Sequence, residues 1–114
     1  MRTIYRTCEF DAFYESLTMN VKNKIKYALN IISEVKVVNV KLVKKLVDTE
    51  FYELRISMDN EYRVIIFTID NDNFYECEQI ILLNGFVKKS TKDYKKEIVK
   101  AEKILKTLSY ENKN

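Results

Sequence analysis

Histidine is missing from this sequence altogether. Its absence removes the side chain that most often performs general acid–base chemistry near neutral pH. Any catalysis therefore falls to lysine, arginine, tyrosine, a carboxylate or the substrate's own groups. With only two cysteines beside it, a structural zinc site is excluded, because such sites want four Cys/His ligands. Cys8 and Cys77 lie far apart without CxxC spacing, and with no export signal they are expected to be reduced, buried thiols. Proline is absent and Gly85 is the one glycine, so there is no Pro- or Gly-rich linker, no P-loop and no dinucleotide fingerprint. Asp70-x-Asp72 is no calcium loop, since Phe74 and Tyr75 stand where an oxygen ligand and a glycine are needed. No metal and no cofactor is expected. No apolar run approaches the roughly 18–20 residues that span a bilayer. The start, with Glu9 and Asp11 close behind Met1–Arg6, lacks the apolar stretch of a signal peptide. The expectation is a cytoplasmic protein with no membrane partner.

What is present suits one domain over residues 1–114. Apolar residues make up 46%, enough for a core, and charged residues at 32% keep the surface wet. The formal net charge of +3 is unevenly spread: residues 85–114 carry +5 and residues 1–84 carry −2. A surface for phosphate or an acidic partner is therefore expected in the last quarter.

Residues 2–7 predict a short first strand, and Phe10, Phe13, Tyr14 and Leu17 follow at helical spacing. Val21, Ile25, Ala28, Leu29, Ile32 and Val35 then trace one stripe of an amphipathic helix, with Asn20 as its expected N-cap. Val40, Val43, Leu46 and Val47 suggest a further short helix. From Phe51 the period becomes two: Tyr52, Leu54 and Ile56 share a strand face, and Glu53 and Arg55 take the other. Met58–Asn60 is a tight connection to a central strand over 61–69, apolar on both faces. Asp70–Asn73 is a turn, and a third strand is expected over 74–84. Short turns between three strands force an antiparallel meander. Ile98, Ala101, Leu105 and Leu108 stripe a closing helix over 94–110 with Asp93 as N-cap, and the polar tail after Tyr110 is expected to fray. The class predicted is α+β: a small antiparallel sheet, N-terminal helices packed on one side, and a C-terminal helix.

Several side chains in this frame are suited to chemistry. Arg55 points away from the apolar face, either into a groove or into an ion pair with Glu53 or Glu61. Arg63 begins an otherwise apolar row of Ile65, Phe67 and Ile69. A guanidinium there needs an anion, and its planar fork fits a phosphate. Gly85 marks a bend or a close approach. Phe86 either anchors the core or stacks on a base, and Lys88 and Lys89 follow.

Tyr-Glu-Leu-Arg at 52–55, Tyr-Arg-Val at 62–64, Leu-Leu-Asn-Gly-Phe-Val-Lys-Lys-Ser-Thr-Lys at 82–92 and Lys-Glu-Ile-x-x-Ala at 96–101 together resemble the RelE/HigB superfamily of toxin–antitoxin ribonucleases, especially its phage-derived HigB-like branch. The resemblance covers nearly the whole chain. It implies a RelE-like fold and a metal-independent endoribonuclease toxin that cleaves messenger RNA, often on the translating ribosome. It also implies a cognate antitoxin, commonly a helix-turn-helix protein. Matched by position, Arg55, Arg63, Lys88 and Tyr94 take catalytic roles, and Tyr62, Asn84, Lys89, Thr91 and Lys92 take RNA-binding roles. HigB-like relatives often have histidine where this chain has Asn84, and proline where it has Tyr94. ParE-type relatives share the fold and inhibit DNA gyrase without cutting RNA. Such an inhibitor, or a degenerate member that only binds antitoxin or nucleic acid, is the alternative reading.

Overall fold

A computed structural model describes residues 1–112, whose elements run in the order β1 (Thr3–Arg6), α1 (Cys8–Glu15), α2 (Met19–Glu34), β2 (Val43–Lys45), β3 (Phe51–Met58), β4 (Asn60–Thr68), β5 (Gln79–Lys88) and α3 (Lys92–Asn112). The fold is α+β, as the pattern predicts. Its sheet has five strands in the order β1-β5-β4-β3-β2. β2 to β5 are antiparallel neighbours, whereas β1 joins the far edge parallel to β5 and makes the sheet mixed.

The two N-terminal helices start on threonines. The Thr7 hydroxyl accepts a hydrogen bond from the Phe10 amide at 3.0 Å and donates to the Leu83 carbonyl at 2.5 Å, so one buried side chain both caps α1 and ties it to β5. Thr18, not Asn20, caps α2: its backbone is extended and its hydroxyl accepts from the Val21 amide at 3.4 Å, while Asn20 already lies inside the helix. The predicted stripe of α2 is buried at Val21, Ile25, Ala28 and Ile32, and Val35 is the exposed C-cap.

Two expectations fail. Residues 40–47 do not form a helix. The Asn39 carbonyl accepts from the Leu42 and Val43 amides in a single turn, and the chain then enters β2, where Val43 pairs with Leu54 and is buried. The third strand begins at Gln79 rather than at 74, because residues 70–78 are consumed by a knot of local bonds. Asn71 and Asn73 side chains accept from the Asn73 and Tyr75 amides, and the Asp70 carboxylate accepts from the Glu78 and Gln79 amides. Those amide bonds, led by the one from Glu78, hold the Asp70 carboxyl below its ordinary 3.8. β5 then continues through Gly85 to Lys88, so the Gly-Phe-Val-Lys segment is strand, not the loop that leaves it. Asp59, with φ of 63°, turns the β3–β4 hairpin as Asp can.

Cores form on both faces of the sheet. On one, α1 and α2 bury Phe10, Ile25 and Ile32 against Leu54, Val64, Ile66, Ile80 and Leu82. On the other, α3 lays Ala101 and Ile104 over Phe51, Ile65, Leu83 and Phe86. Gly85 answers a close approach: a Cβ there would stand 2.3 Å from the ring of Phe13. Cys77 is buried as expected but Cys8 is exposed at the start of α1. α3 starts at Lys92 and runs to Asn112, two residues beyond the expected end, and residues 113 and 114 of the tail lie outside the described residues. No helix among the described residues is long and apolar enough to cross a membrane.

Candidate active site beneath the C-terminal helix

Strand alternation sends Tyr52, Leu54 and Ile56 to the α1/α2 core, which leaves Glu53 and Arg55 on the α3 face. The antiparallel register then sets Arg55 opposite Arg63, Arg63 opposite Phe86, and Glu61 opposite Lys88. Between β4 and β5 the register slips. Ile65 pairs with Asn84 and Ile66 with Leu82, so Leu83 is an extra residue on β5. The bulge lets both Leu83 and Asn84 engage the α3 side and still returns Gly85 to Phe13 on the opposite face.

Two guanidiniums facing each other across a strand pair repel unless an anion stands between them. Glu53 is that anion. Its Oε1 lies 3.4 Å from Arg55 Nε and 3.6 Å from Arg63 Nε, and it accepts a hydrogen bond from the Tyr94 hydroxyl at 3.1 Å. The same hydroxyl accepts from Arg63 Nε at 2.9 Å. Arg63 also donates to the Tyr62 carbonyl at 3.0 Å and to Glu61 Oε1 at 3.3 Å. A hydrogen bond from Ser57 and the nearby Arg63 hold the Glu61 carboxyl below its ordinary value. Burial pushes the Tyr94 hydroxyl above its ordinary 10.0, with the Arg63 bond opposing and the Glu53 carboxylate reinforcing the rise. The Tyr94 ring packs edge-on to Phe86 at 5.5 Å, and Lys88 Nζ stands 5.7 Å from its centre.

Glu53 is only 3% exposed, and its second oxygen, Oε2, accepts no hydrogen bond from any described residue. A buried carboxylate oxygen without a partner is costly, and it marks a place where a further donor belongs. Glu53 lines a cleft of about 350 Å³ together with Lys44, Lys45, Arg55, Lys88, Tyr94 and Ile98. The cleft thus combines one half-satisfied carboxylate, four cations and a phenol that keeps its proton.

Arg55, Arg63, Lys88 and Tyr94, the four catalytic candidates, are brought together here. Arg63 differs from the expectation in one respect: at 2% exposure it reaches the cleft only through Glu53 and Tyr94. The five RNA-binding candidates are scattered. Tyr62 is 8% exposed and sits in the α1/α2 core, on the opposite face from Arg63, as alternation requires. Asn84 is 1% exposed, and its amide donates to the Glu97 carbonyl at 3.2 Å and to Glu97 Oε1 at 3.1 Å, which fastens α3 to the bulge rather than facing solvent. Lys89 and Thr91 are exposed in the connection to α3, and Lys92 is exposed at its first position. Asp93 is not the N-cap but a residue of the first turn that reaches back, its Oδ2 accepting from the Lys89 and Ser90 amides at 2.7 and 3.0 Å. Those two bonds hold its carboxyl below its ordinary 3.8.

Sequence reasoning missed Glu53, which read as a mere partner for Arg55, and Lys44 and Lys45, which were hidden in the supposed helix. The available signal was the Lys-Lys pair between Val43 and Leu46. The basic wall of the cleft accordingly draws three of its four cations from residues 1–84, whose net charge is negative, rather than from the last quarter.

A five-strand mixed sheet with a basic, carboxylate-bearing cleft under a C-terminal helix places the chain among small α+β proteins. Within that class the assignment is specific: the model of the phage-derived Gp49-like proteins (DUF891) matches residues 12–106, and the chain belongs to that family. The family is toxin-like and related to the RelE group of toxin–antitoxin toxins, and membership points to an antitoxin partner. A comparison with curated proteins finds no match.

Proposed function

We propose that the protein is the toxin of a type II toxin–antitoxin pair, of the HigB-like branch, and a metal-independent endoribonuclease that cuts messenger RNA on the translating ribosome. The observation that carries this reading is the buried Glu53 carboxylate, its Oε2 unpartnered, in a cleft that Arg55, Lys88 and Tyr94 also line. A 2′-hydroxyl supplies the missing donor. Glu53 takes its proton, the 2′-oxygen attacks the adjacent phosphorus, and the bond from phosphorus to the 5′-oxygen breaks. Lys88 gives a proton to the leaving 5′-oxygen, so the products are a 2′,3′-cyclic phosphate and a free 5′-hydroxyl. Arg55, about one-third exposed, and Lys44 face the negative charge gathered on the phosphorane.

Arg63 and Tyr94 act on the reaction through Glu53. Arg63 fixes the Tyr94 hydroxyl, and Tyr94 donates its proton to Oε1, which leaves Oε2 as the oxygen without a donor. With no histidine in the chain, the proton-accepting role falls to a carboxylate.

The test is primer extension on a defined messenger RNA translated in a purified system with wild-type protein, Glu53→Gln or Arg55→Ala. Loss of a general base typically costs ~10²–10⁴-fold, and loss of a charge-stabilising donor ~10²–10³-fold. New 5′ ends that need the wild-type protein and ribosomes, and that fall away in both variants, support the reading. Intact transcripts at stoichiometric wild-type protein would overturn it and turn attention to DNA gyrase.

A further inference from the structure

A cavity of about 760 Å³ lies next to the cleft and not in it. The two share Lys44, Lys45 and Arg55, so they are neighbours across the edge of the sheet. β2 is that edge and is only three residues long. Alternation divides its lysines between the faces: Lys44 stands opposite Glu53, and Lys45 opposite Tyr52, with its ammonium 5.6 Å from the Tyr52 ring. A flexible chain can pass from one cavity to the other over β2 and meet a cation on each side.

The second cavity is not another copy of the first. Besides the shared cations it has Lys41, the rings of Tyr52 and Tyr75, and a single acid, Asp72. Both rings are held by their hydroxyl ends. Tyr52 donates to the Asp72 carbonyl and accepts from the Phe74 amide, each at 3.2 Å, and Tyr75 donates to the Val38 carbonyl at 3.5 Å. Rings fixed at the tip lose little entropy on meeting a base, and base stacking or edge contact draws on such rings. The volume lies within the ~300–1,000 Å³ of typical small-ligand pockets, ample for a nucleotide. Four cations against one acid favour a phosphodiester chain.

On the basis of the RNA-cleaving reading of the cleft, we infer that this second cavity is a nucleotide subsite. Single-stranded RNA crosses β2 from the scissile phosphate, with Lys44 and Lys45 on its backbone, and lays a flanking base against Tyr52 and Tyr75 near Lys41. The cleft by itself takes about the scissile dinucleotide; the subsite gives the protein a grip on the neighbouring sequence.

The inference is tested with fluorescein-labelled oligoribonucleotides, 2′-O-methylated throughout so that they are not cut, as a trimer and a nonamer. Anisotropy is read on the full chain over a salt series. The nonamer is expected to bind at least tenfold tighter than the trimer. Lys41→Glu should remove most of that advantage, lower the salt slope for the nonamer by ~0.7 per lost phosphate contact, and change trimer affinity less than twofold. A nonamer carrying 4-thiouridine at each position in turn is expected to photocrosslink, from one position, to the peptide bearing Tyr75. Crosslinks confined to cleft or α3 peptides, with Lys41→Glu silent, would overturn the subsite while leaving the cleft reading intact. No binding of either oligomer would overturn the subsite; the cleft reading, whose 2′-hydroxyl contact the methylated probes lack, falls only if the cleavage assay leaves transcripts intact.

Discussion

A buried cation decides more about this fold than its charge suggests. Arg2 sits almost at the start of the chain, yet its guanidinium donates to the carbonyls of Ile32, Val35, Lys36 and Phe74 at 2.5–3.2 Å, and it stacks 4.2 Å over the Phe74 ring. Those acceptors are the C-terminal end of α2 and the turn before β5, so one side chain joins three segments. Carbonyls at a helix end have no partner within the helix, and hydrogen bonds from a charged donor contribute ~1.5–3 kcal/mol. Arg2→Met keeps the bulk and removes every donor. It is expected to lower unfolding free energy by ~3–5 kcal/mol, read as a fall in the urea midpoint with an unchanged m-value. A change within ~0.5 kcal/mol, the usual scale of surface substitutions, would mean that the guanidinium only decorates the surface. Nothing in the sequence signals this role, because an arginine two residues from a terminus is ordinarily solvated. Glu53 escaped notice for a related reason. A charge beside an arginine on a strand looks self-satisfied, and only the register that brings in Arg63 and Tyr94 reveals an oxygen left over.

Elements were legible in proportion to how many periods they contain. α2 repeats its apolar stripe over sixteen residues, and β4 is buried through five consecutive positions, so both declare themselves. β2 has three residues and cannot show a period of two. Its identity comes from Leu54 across the sheet, which captures Val43. β5 was misplaced at both ends, because the local bonds of Asp70, Asn71 and Asn73 compete with pairing at its start and the bulge at Leu83 disguises its alternation. The bulge and Gly85 belong together. Having sent two successive side chains toward α3, the strand must return to the α1 face at Gly85, where the Phe13 ring leaves no room. Gly85→Ala is expected to cost ~1–3 kcal/mol as an overpacked position. Combined with Phe13→Leu, the pair should be less destabilised than the sum of the single variants, the sign of a shared contact. Strict additivity in thermal denaturation would place the strain elsewhere.

At the scale of the whole molecule, the sheet is insulated unequally on its two sides. The α1/α2 face buries Phe10, Val21, Ile25, Ala28 and Ile32 from its helices, whereas α3 buries Ala101 and Ile104 and leaves Ile98, Leu105 and Leu108 half-covered. At ~1.5–3 kcal/mol per fully buried large apolar side chain, the helix that roofs the cleft is held several kcal/mol less firmly than the pair behind the sheet. What fastens it besides packing is polar: Tyr94 to Arg63 and Glu53, and Glu97 to Asn84. Of these, Tyr94 and Arg63 also hold the proposed base in place. Amide hydrogen exchange followed by NMR should therefore find residues 98–105 opening at a free energy well below that of residues 25–32, through a local event that spares β4. Tyr94→Phe removes the hydroxyl that bridges Arg63 and Glu53. It should lower α3 protection further and reduce cleavage at the same time, because seating the helix and orienting Glu53 use the same hydroxyl. Equal protection of α2 and α3, lost together at the global unfolding free energy, would show that the two faces form one cooperative unit. The cleft would then be a rigid fixture of the sheet rather than a site completed by its roof.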